Sequence, residues 1–410
     1  MTASYRLLFL LPTSPLPIFT GGRLRMYEIL RHLSQHHQIT VLSFWRDEEA
    51  RSGLEQLAGQ LDITVEAVPF ERIRGGGNPL PIAFRRLRTR LSEKPTDVGI
   101  WDQPSMHKEV ERVLAKNPID LIQVEWPYLA PYALVHPHIP HILVTYDIFS
   151  VAFSRRAALT TNPLSRFELQ RQSQAWKRYE TELYSQFVAI GAMSPVDAEI
   201  IRQRAPGANA VVLPNGVDTS VLTPGEIRPR IRNLLFVGSP THAPNLDAAC
   251  WLLTDIWPLL HRHFPYLKLT LVNLEHPKVR ACLQPGVELL GRLPDLKPIY
   301  RQADIALVPL RAGSGTRLKI LEAFALGVPV VSTKIGWEGL AVEPGKHLLS
   351  ADSPPEFVAT ITQLINHRND RESLARHARE LVVERYDWSQ IADLHEAMYA
   401  NVLDKGCSNV

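Results

Sequence analysis

The sequence predicts an α/β protein built as two Rossmann-like domains, each a parallel sheet wrapped by helices. Two observations carry this. Short apolar runs such as 5–11, 120–124, 267–272 and 328–332 have the composition of strands buried on both faces. Stretches with apolar residues at helical spacing lie between such runs, so strand and helix alternate along the chain, and they do so in two sets separated by the proline- and arginine-containing residues 222–232.

Composition narrows the class. A chain of 410 residues is long enough for two domains, and 45% hydrophobic with 21% charged residues describes a soluble globular protein. A net charge of +3 does not point to nucleic acid. Three cysteines, Cys250, Cys282 and Cys407, lack metal-site spacing, and an odd number suits a reducing cytoplasm. No apolar run approaches the ~20 residues of a membrane span.

Taken in order, residues 5–11 read as the first strand rather than a signal segment, because the run is short and Pro12 breaks it. A loop with three prolines follows, and Gly21-Gly22 opens a helix over 23–34 with Leu24, Tyr27, Leu30 and Leu33 on one face. The diglycine is either a tight turn or a place where a ligand reaches the backbone, since Gly22 has no side chain to block it. Residues 38–44 and 62–68 are the next strands. Residues 71–94 set Arg85, Arg86, Arg88 and Arg90 among Phe84, Leu87 and Leu91. That pattern fits a solvated helix face or a contact with an anionic membrane or lipid phosphate equally well. The strands 120–124 and 141–145 end at Glu125-Trp126 and Tyr146-Asp147. Ligands sit at the carboxyl ends of parallel strands, which makes Glu125, Tyr146 and Asp147 candidates. A long helix over 165–185, strands at 187–190 and 211–213, and the turn Asn215-Gly216-Val217-Asp218 complete the first set.

The second set begins with a strand at 233–237 and a turn at Gly238-Ser239-Pro240. A helix over 245–264, strands at 267–272 and 287–290, and a turn at 291–296 follow. Residues 303–340 then concentrate the chemistry. A strand at 305–310 runs into a loop containing Gly313 and Gly315, Thr316 can cap a helix over 317–326, Gly327 stops it, and 328–332 is the next strand. A glycine-fringed helix N-terminus at the carboxyl end of a parallel strand is an anion site, usually for phosphate. Arg317 and Lys319 in the first turn oppose the helix dipole at a cost of a few tenths of a kcal/mol each, which an anion would compensate. Glu322 lies about one and a half turns further in. Any βαβ unit needs such a turn, and these charges can form ordinary helix-surface pairs. The loop, the charges and the later Gly336-Trp337-Glu338-Gly339-Leu340 turn together favour a ligand. Helices over 355–367, 371–384 and 391–403 close the chain.

Residues 314–322, Ser-Gly-Thr-Arg-Leu-Lys-Ile-Leu-Glu, resemble the donor-binding motif of the retaining glycosyltransferases of family 4, in which two glutamates flank seven residues. Glu322 matches the second, and Ser314 stands in place of the first. The Asn-Gly-Val-Asp turn resembles that family's signature at the end of its first domain. The resemblance extends more thinly over nearly the whole chain and implies the GT-B fold, two facing Rossmann-like domains with a cleft between them. On it, residues 1–217 are the acceptor domain, 218–388 the donor domain, and 389–410 a helix crossing back to the first. It implies transfer of a sugar, with retention of configuration, from a nucleotide-sugar donor to a glycan or lipid-linked acceptor in cell-surface polysaccharide or glycolipid synthesis.

Residue roles follow from the same resemblance. Glu322 receives ribose hydroxyls, Ser314 sits by the sugar ring, and the Gly22 loop lies against donor phosphate and acceptor. The turn that begins Gly291-Arg292-Leu293 contacts the nucleobase through its backbone. Many relatives carry an arginine and a lysine after the turn at Gly238 to hold the pyrophosphate. Here Ser-Pro-Thr-His-Ala-Pro-Asn follows, and Arg317 and Lys319, with Gly315, Thr316 and Leu318 at the same helix end, are the substitutes. Many relatives place a histidine near the second cleft strand, where this chain has Tyr146-Asp147. Sugar transfer needs a neutralised leaving group, a positioned acceptor hydroxyl and a dry site. The charged helix end supplies the first, and no Asp-x-Asp element offers a divalent cation a place, so neither metal nor cofactor is expected. The departures at Ser314, after Gly238 and at Tyr146 support an alternative, a weak or inactive nucleotide-sugar- or glycan-binding partner subunit. An epimerase of the same fold has no supporting motif. The expected location is the cytoplasm, peripheral at the inner face of the membrane, with residues 71–94 as its membrane contact and no nucleic-acid partner.

Overall fold

The computed structural model describes residues 4–71, 94–313 and 317–407. The arginine stretch within 71–94, apart from its ends, and Ser314, Gly315 and Thr316 lie outside the described residues. The chain divides into two compact units, Met1–Pro214 with Ile391–Val410, and Asn215–Gln390.

In the first unit the described strands are β1 (Arg6–Leu11), β2 (Gln38–Trp45), β3 (Ile63–Pro69), β4 (Leu121–Glu125), β5 (His141–Thr145), β6 (Ala189–Ala192) and β7 (Ala210–Val212). They form one parallel sheet in the order β3-β2-β1-β4-β5-β6-β7. Leu7 through Leu11 are at most 1% exposed, as the uninterrupted apolar run requires of a strand covered on both faces. Each such side chain contributes about 1.5–3 kcal/mol of burial. Strand order reverses between β1 and β4, the point where a parallel sheet opens a crevice at its carboxyl edge.

The second unit repeats the plan. Its described strands are β8 (Asn233–Val237), β9 (Lys268–Val272), β10 (Val287–Leu290), β11 (Ile305–Val308), β12 (Val330–Ser332) and β13 (Leu349–Ser350), all parallel in the order β10-β9-β8-β11-β12-β13. Here the reversal falls between β8 and β11. The helix expected over 245–264 is instead Ala243–Trp251, a π-helical turn Leu252–Ile256, and Trp257–His263. Pro258 is the reason, because it has no N–H to return to the preceding turn.

Residues 222–232 are not a free linker. Arg371, 1% exposed, donates to the carbonyls of Arg228 (3.2 Å) and Pro229 (3.0 Å), and Arg379 donates to those of Thr219 (2.7 Å), Leu222 (2.7 Å) and Ala325 (2.9 Å). Ala325 ends the helix Leu318–Ala325, so Arg379 also places a cation at that helix's negative end. The C-terminal helix Trp388–Cys407 joins the first unit from Ile391 onward. There the Tyr399 hydroxyl donates to Gln123 Oε1 (2.5 Å) and His37 Nε2 lies 2.9 Å from Glu396 Oε2.

Gly53, in the helix Glu48–Gln60, packs so closely on the loop after β1 that a Cβ there would lie 2.1 Å from the Leu16 carbonyl oxygen. Gly53→Ala is expected to destabilise the protein by about 1–3 kcal/mol, read as a lower denaturation midpoint. Gly59→Ala in the same helix meets nothing within 4 Å and should be neutral or mildly stabilising.

Candidate functional site

In the second unit the crevice between β8 and β11 is walled by two helices, Ala243–Trp251 after β8 and Leu318–Ala325 after β11. Both start at the carboxyl edge of the sheet, so both aim N–H groups at the same place. Two polar pairs span it. Lys319 Nζ donates to Asn245 Oδ1 at 2.9 Å, with the ammonium 4.6 Å from the centre of the Phe236 ring. Arg311 makes a two-pronged contact with Asp247 at 3.0 and 2.6 Å and lies over Trp251. A cation over an aromatic face is stabilised without a counter-ion.

Arg317 occupies the cap position, with φ −97° and ψ 99°, rather than the first helical turn. Its guanidinium folds against Gly313, whose φ is +123° and where a Cβ would come 2.6 Å from Nη2. Only glycine combines that backbone with that contact. One helical turn beyond Lys319, Glu322 Oε2 lies 3.2 Å from the Tyr300 hydroxyl, which is also 3.2 Å from the Lys319 carbonyl. A single hydroxyl proton serves one acceptor at a time. The Tyr300 hydroxyl donates either to the Glu322 carboxylate or to the Lys319 carbonyl, and so links the side chain and the backbone of one helix.

The electrostatics follow from crowding. Burial, with Arg317 close by and Glu322 opposing, brings the Lys319 ammonium down to about 7. Burial raises the Glu322 carboxyl above its ordinary value, against the lowering effects of its Tyr300 contact and of Lys319. Tyr300, 1% exposed, is pushed well above the ordinary phenol range, first by burial and then by Glu322. Lys319 and Glu322 themselves stay partly exposed, so a ligand can reach them. Displaced titratable groups of this kind, gathered in a crevice, are candidates for a functional site.

The remaining donor-side candidates fall on the same edge. Gly238 follows β8, and a Cβ there would strike Leu274 at 2.5 Å. Gly291 follows β10, against the Glu275 carboxylate, and Leu293 and Leu318 pack partly buried on the core. Ser314, Gly315 and Thr316 lie outside the described residues.

The first unit has a counterpart at its own strand reversal. Gly22 opens the helix Gly21–Leu33, capped by Thr20, and a Cβ on it would meet Trp126 at 3.6 Å and Tyr146 at 3.8 Å. Trp126, directly after β4, has φ +88°, a conformation that costs a non-glycine residue about 1–3 kcal/mol. It stacks on Tyr146 (centroids 4.4 Å apart, 12° between planes) and more loosely on Tyr128 (5.9 Å, 19°). Glu125 and Tyr146, expected to open on a ligand, are only 3% and 7% exposed, and the Tyr146 hydroxyl is buried. The reason is the period of two along β4. Gln123 and Glu125 share a face, and the Tyr399 hydroxyl of the C-terminal helix bonds to Gln123 on that face. Arg25, 1% exposed, donates to the Pro214 carbonyl at 2.5 Å and stands 5.6 Å over the Tyr146 ring. Burial pushes the Glu125 carboxyl up while Arg25 opposes the shift. Asp147 and Trp126 are the partly exposed members of these strand ends.

Asn245, Tyr300, Trp126 and Arg25 were not expected. Asn245 had a visible signal, a side-chain amide in the first turn of the helix that follows the Gly238 loop. Tyr300 and Arg25 look like ordinary amphipathic helix positions. Nothing marks Trp126 for a left-handed backbone, since Pro127 after it favours extended conformations.

Comparison with known proteins agrees with this geometry. Residues 19–221 match the family Glycosyltransferase Family 4, and residues 231–367 match Glycosyl transferases group 1. Phosphatidyl-myo-inositol mannosyltransferase of Mycobacterium leprae is 24% identical over 351 residues, covering 82% of this chain and 85% of that protein. Four other curated relatives match over shorter stretches, and the chain spans only 32% to 47% of their length. The fold is that of sucrose-phosphate synthase from Thermosynechococcus elongatus, at TM-score 0.72 and 14% identity over 98% of this chain and all (100%) of that one. Anabaena HepE in complex with UDP-glucose superposes at TM-score 0.65 and 16% identity over 98% and 100% of the two chains. The GT-B architecture, α/β with two Rossmann-like domains, is therefore present.

The Lys319 environment has a measurable consequence. Its ammonium titrates near 7 in the folded chain against 10.5 ordinarily. Below pH 7 both folded and unfolded forms carry the proton, and the full cost of crowding a cation stands. As pH rises from 7 to 10 the folded form loses its proton first and the cost is released. Lys319→Met is expected to raise the melting temperature most near pH 6 and little near pH 10. An equal gain at both pH values would place the ammonium in water.

Proposed function

The chain belongs to the glycosyltransferases of family 4 and group 1, and on that premise we propose that it moves a sugar from a nucleotide-sugar donor to a hydroxyl of a glycan or lipid-linked acceptor, with retention and without a metal. The observation that carries this reading is the cluster of Arg317, Lys319, Glu322, Asn245 and Tyr300 at the strand reversal of the second unit. The relative in M. leprae is a phosphatidyl-myo-inositol mannosyltransferase, and the HepE structure holds UDP-glucose, so a nucleoside diphosphate donor and a lipid-linked acceptor have precedent. Synthesis of a cell-surface polysaccharide or glycolipid follows as the setting. A place at the cytoplasmic membrane face is the matching location. Among the described residues no helix is long and apolar enough to cross a membrane, and no group of His, Cys, Asp and Glu is arranged to hold a metal ion.

Each residue then has a task. The incoming diphosphate restores the Lys319 proton, because an adjacent dianion raises an ammonium's pKa. Lys319, Arg317 and the N–H groups at Leu318 take up the charge that grows on the leaving phosphate as the bond to the anomeric carbon breaks. Glu322, steadied by Tyr300, receives the ribose hydroxyls. Gly238 and Gly291 let phosphate and base approach the backbone, with Leu293 beside the base, and Ser314, Gly315 and Thr316 complete the loop. In the first unit Gly22, Trp126 and Asp147 offer the acceptor-side surface, and Glu125 and Tyr146 support it from below.

Calorimetry with UDP, GDP, ADP and TDP, in buffers of different ionisation enthalpy, tests the binding step. The cognate nucleotide is expected to bind with proton uptake at pH 7.5 and to weaken as pH rises further. Binding of none of them would overturn the reading.

Arg317→Ala is expected to cut transfer by about 10²–10³ in kcat, with a smaller change in KM, if it acts like other preorganised charge stabilisers. Turnover should persist in EDTA. Loss in EDTA with recovery on adding magnesium or manganese would show that a cation, and not this helix end, carries the charge.

A further inference from the structure

The two most exposed large apolar side chains among the described residues sit three positions apart in the first unit. Leu164 is 82% exposed and Phe167 67%. They share one face of the first turn of the helix Pro163–Tyr184. Leu159, 39% exposed, ends the preceding helix Phe149–Leu159, so the three form the tip of a helical hairpin. Isolated exposed apolar residues are ordinary on a protein surface; a group of three on one protrusion is not.

The tip is firmly built. At the hairpin's base Ser150 Oγ donates to Glu180 Oε2 at 2.6 Å, Ser173 Oγ donates to the Ser150 carbonyl at 2.8 Å, and Phe149 stacks on Trp176 at 4.3 Å. Near the tip Asn162 caps the second helix by accepting from Ser165 N at 3.0 Å, and Arg166 reaches back to the Ala157 carbonyl at 3.4 Å. The apolar residues are therefore presented on a fixed support.

Charge decides what covers them. From Ser150 to Phe167 the sequence holds three arginines, Arg155, Arg156 and Arg166, and no aspartate or glutamate. The first acid beyond, Glu168, is held by Arg171 at 2.7 and 2.9 Å. Arg156 faces Asp97 from the preceding segment and lies over Phe153, and Arg155 and Arg166 flank the tip without an acid in the same stretch. An apolar tip flanked by arginines has the composition of an interfacial membrane contact. A second copy would bring its own arginines against these. The three side chains expose on the order of a few hundred Å², short of the ~800 Å² per partner that a stable protein interface uses.

We propose that the hairpin tip of Leu159, Leu164 and Phe167, with Arg156 and Arg166, docks on an anionic lipid surface. The proposal uses none of residues 72–93, which lie outside the described residues, and it does not depend on the transfer reaction.

Vesicle flotation without donor or acceptor tests it, using phosphatidylcholine alone and phosphatidylcholine mixed with phosphatidylglycerol. The wild type should float with the anionic vesicles and not with the neutral ones, and salt should weaken the association. Leu164→Ser/Phe167→Ser and Arg156→Glu/Arg166→Glu should each lower the bound fraction by at least about tenfold. The Leu164→Ser/Phe167→Ser variant should keep the wild-type melting temperature, since both replaced side chains are exposed. The Arg156→Glu/Arg166→Glu variant, which also loses the Arg166 bond to the Ala157 carbonyl, should remain folded at the assay temperature by circular dichroism. A wild type that stays with neither vesicle overturns the proposal. So do variants that float like the wild type. So does sedimentation showing that the wild type self-associates through the tip and the Leu164→Ser/Phe167→Ser variant does not.

Discussion

The second unit is organised by one unfavourable act, the crowding of a lysine cation at a strand reversal. Among the described residues no carboxylate is in contact with Lys319; its partners there are an amide oxygen, that of Asn245, and the face of Phe236. Neither neutralises a charge. The helix that carries Lys319 is therefore held from outside. Arg379 bonds its last carbonyl, and the Tyr300 hydroxyl lies 3.2 Å from the Lys319 carbonyl. A site that disfavours its own charge when empty binds an anion with less competition from an internal partner, which is how preorganised electrostatics differ from a surface salt bridge.

The first unit buries a cation too, but of the other kind. Arg25 is more deeply enclosed than Lys319 and keeps its charge, because a guanidinium does not deprotonate at accessible pH. It is satisfied by the Pro214 carbonyl, by the Tyr146 ring and by His395, whose own pKa burial and Arg25 push well down. A neutral His395 can accept from Arg25 Nη2 at 3.4 Å. This network ties the first helix, β4, β5 and the C-terminal helix together under Trp126. The left-handed backbone of Trp126 is tolerable because its ring is fixed by stacking on Tyr146 and its neighbour Glu125 by Gln123.

The fold was legible in the sequence because buried parallel strands leave an uninterrupted apolar record, as residues 7–11 and 328–332 do. Arg317, Lys319 and Glu322 stood out in the sequence for a related reason, since cations at a helix start oppose the dipole and a carboxyl in an apolar helix opposes the core, and the structure gathers Lys319 and Glu322 with Asn245 and Tyr300. What stayed hidden depends on contacts remote in sequence. Asn245 is 74 positions from Lys319 and Tyr300 22 from Glu322. No local pattern encodes either pairing. Glu125 misled because a strand end reads alike whether its side chain faces solvent or a returning helix, and Tyr399, 276 positions from Gln123, decides which. Helix bounds shifted where proline or a cap intervened, at Pro258 and Arg317. The exposed tip at Leu164 and Phe167 was overlooked because apolar residues in an amphipathic helix are ordinarily assigned to the core.

Under the proposed function, lysine at 319 and arginine at 25 suit two different tasks. A permanent cation suits a network whose partners are always present, and Arg25 never lacks its carbonyl and ring. A site that alternates between empty and anion-filled is better served by a group that sheds its proton when nothing opposes it. With its pKa brought down to about 7, Lys319 sheds its proton near neutral pH far more readily than a free lysine, and a bound diphosphate would restore it. The empty state is spared part of the cost of a buried charge, and the filled state has the whole of it. Arginine at 319 would hold the anion as well but would impose its charge on the empty crevice, beside Arg317, at every pH the protein meets. The partial burial that displaces Lys319 is thus the same feature that, under the proposed function, would let the site respond to what enters it.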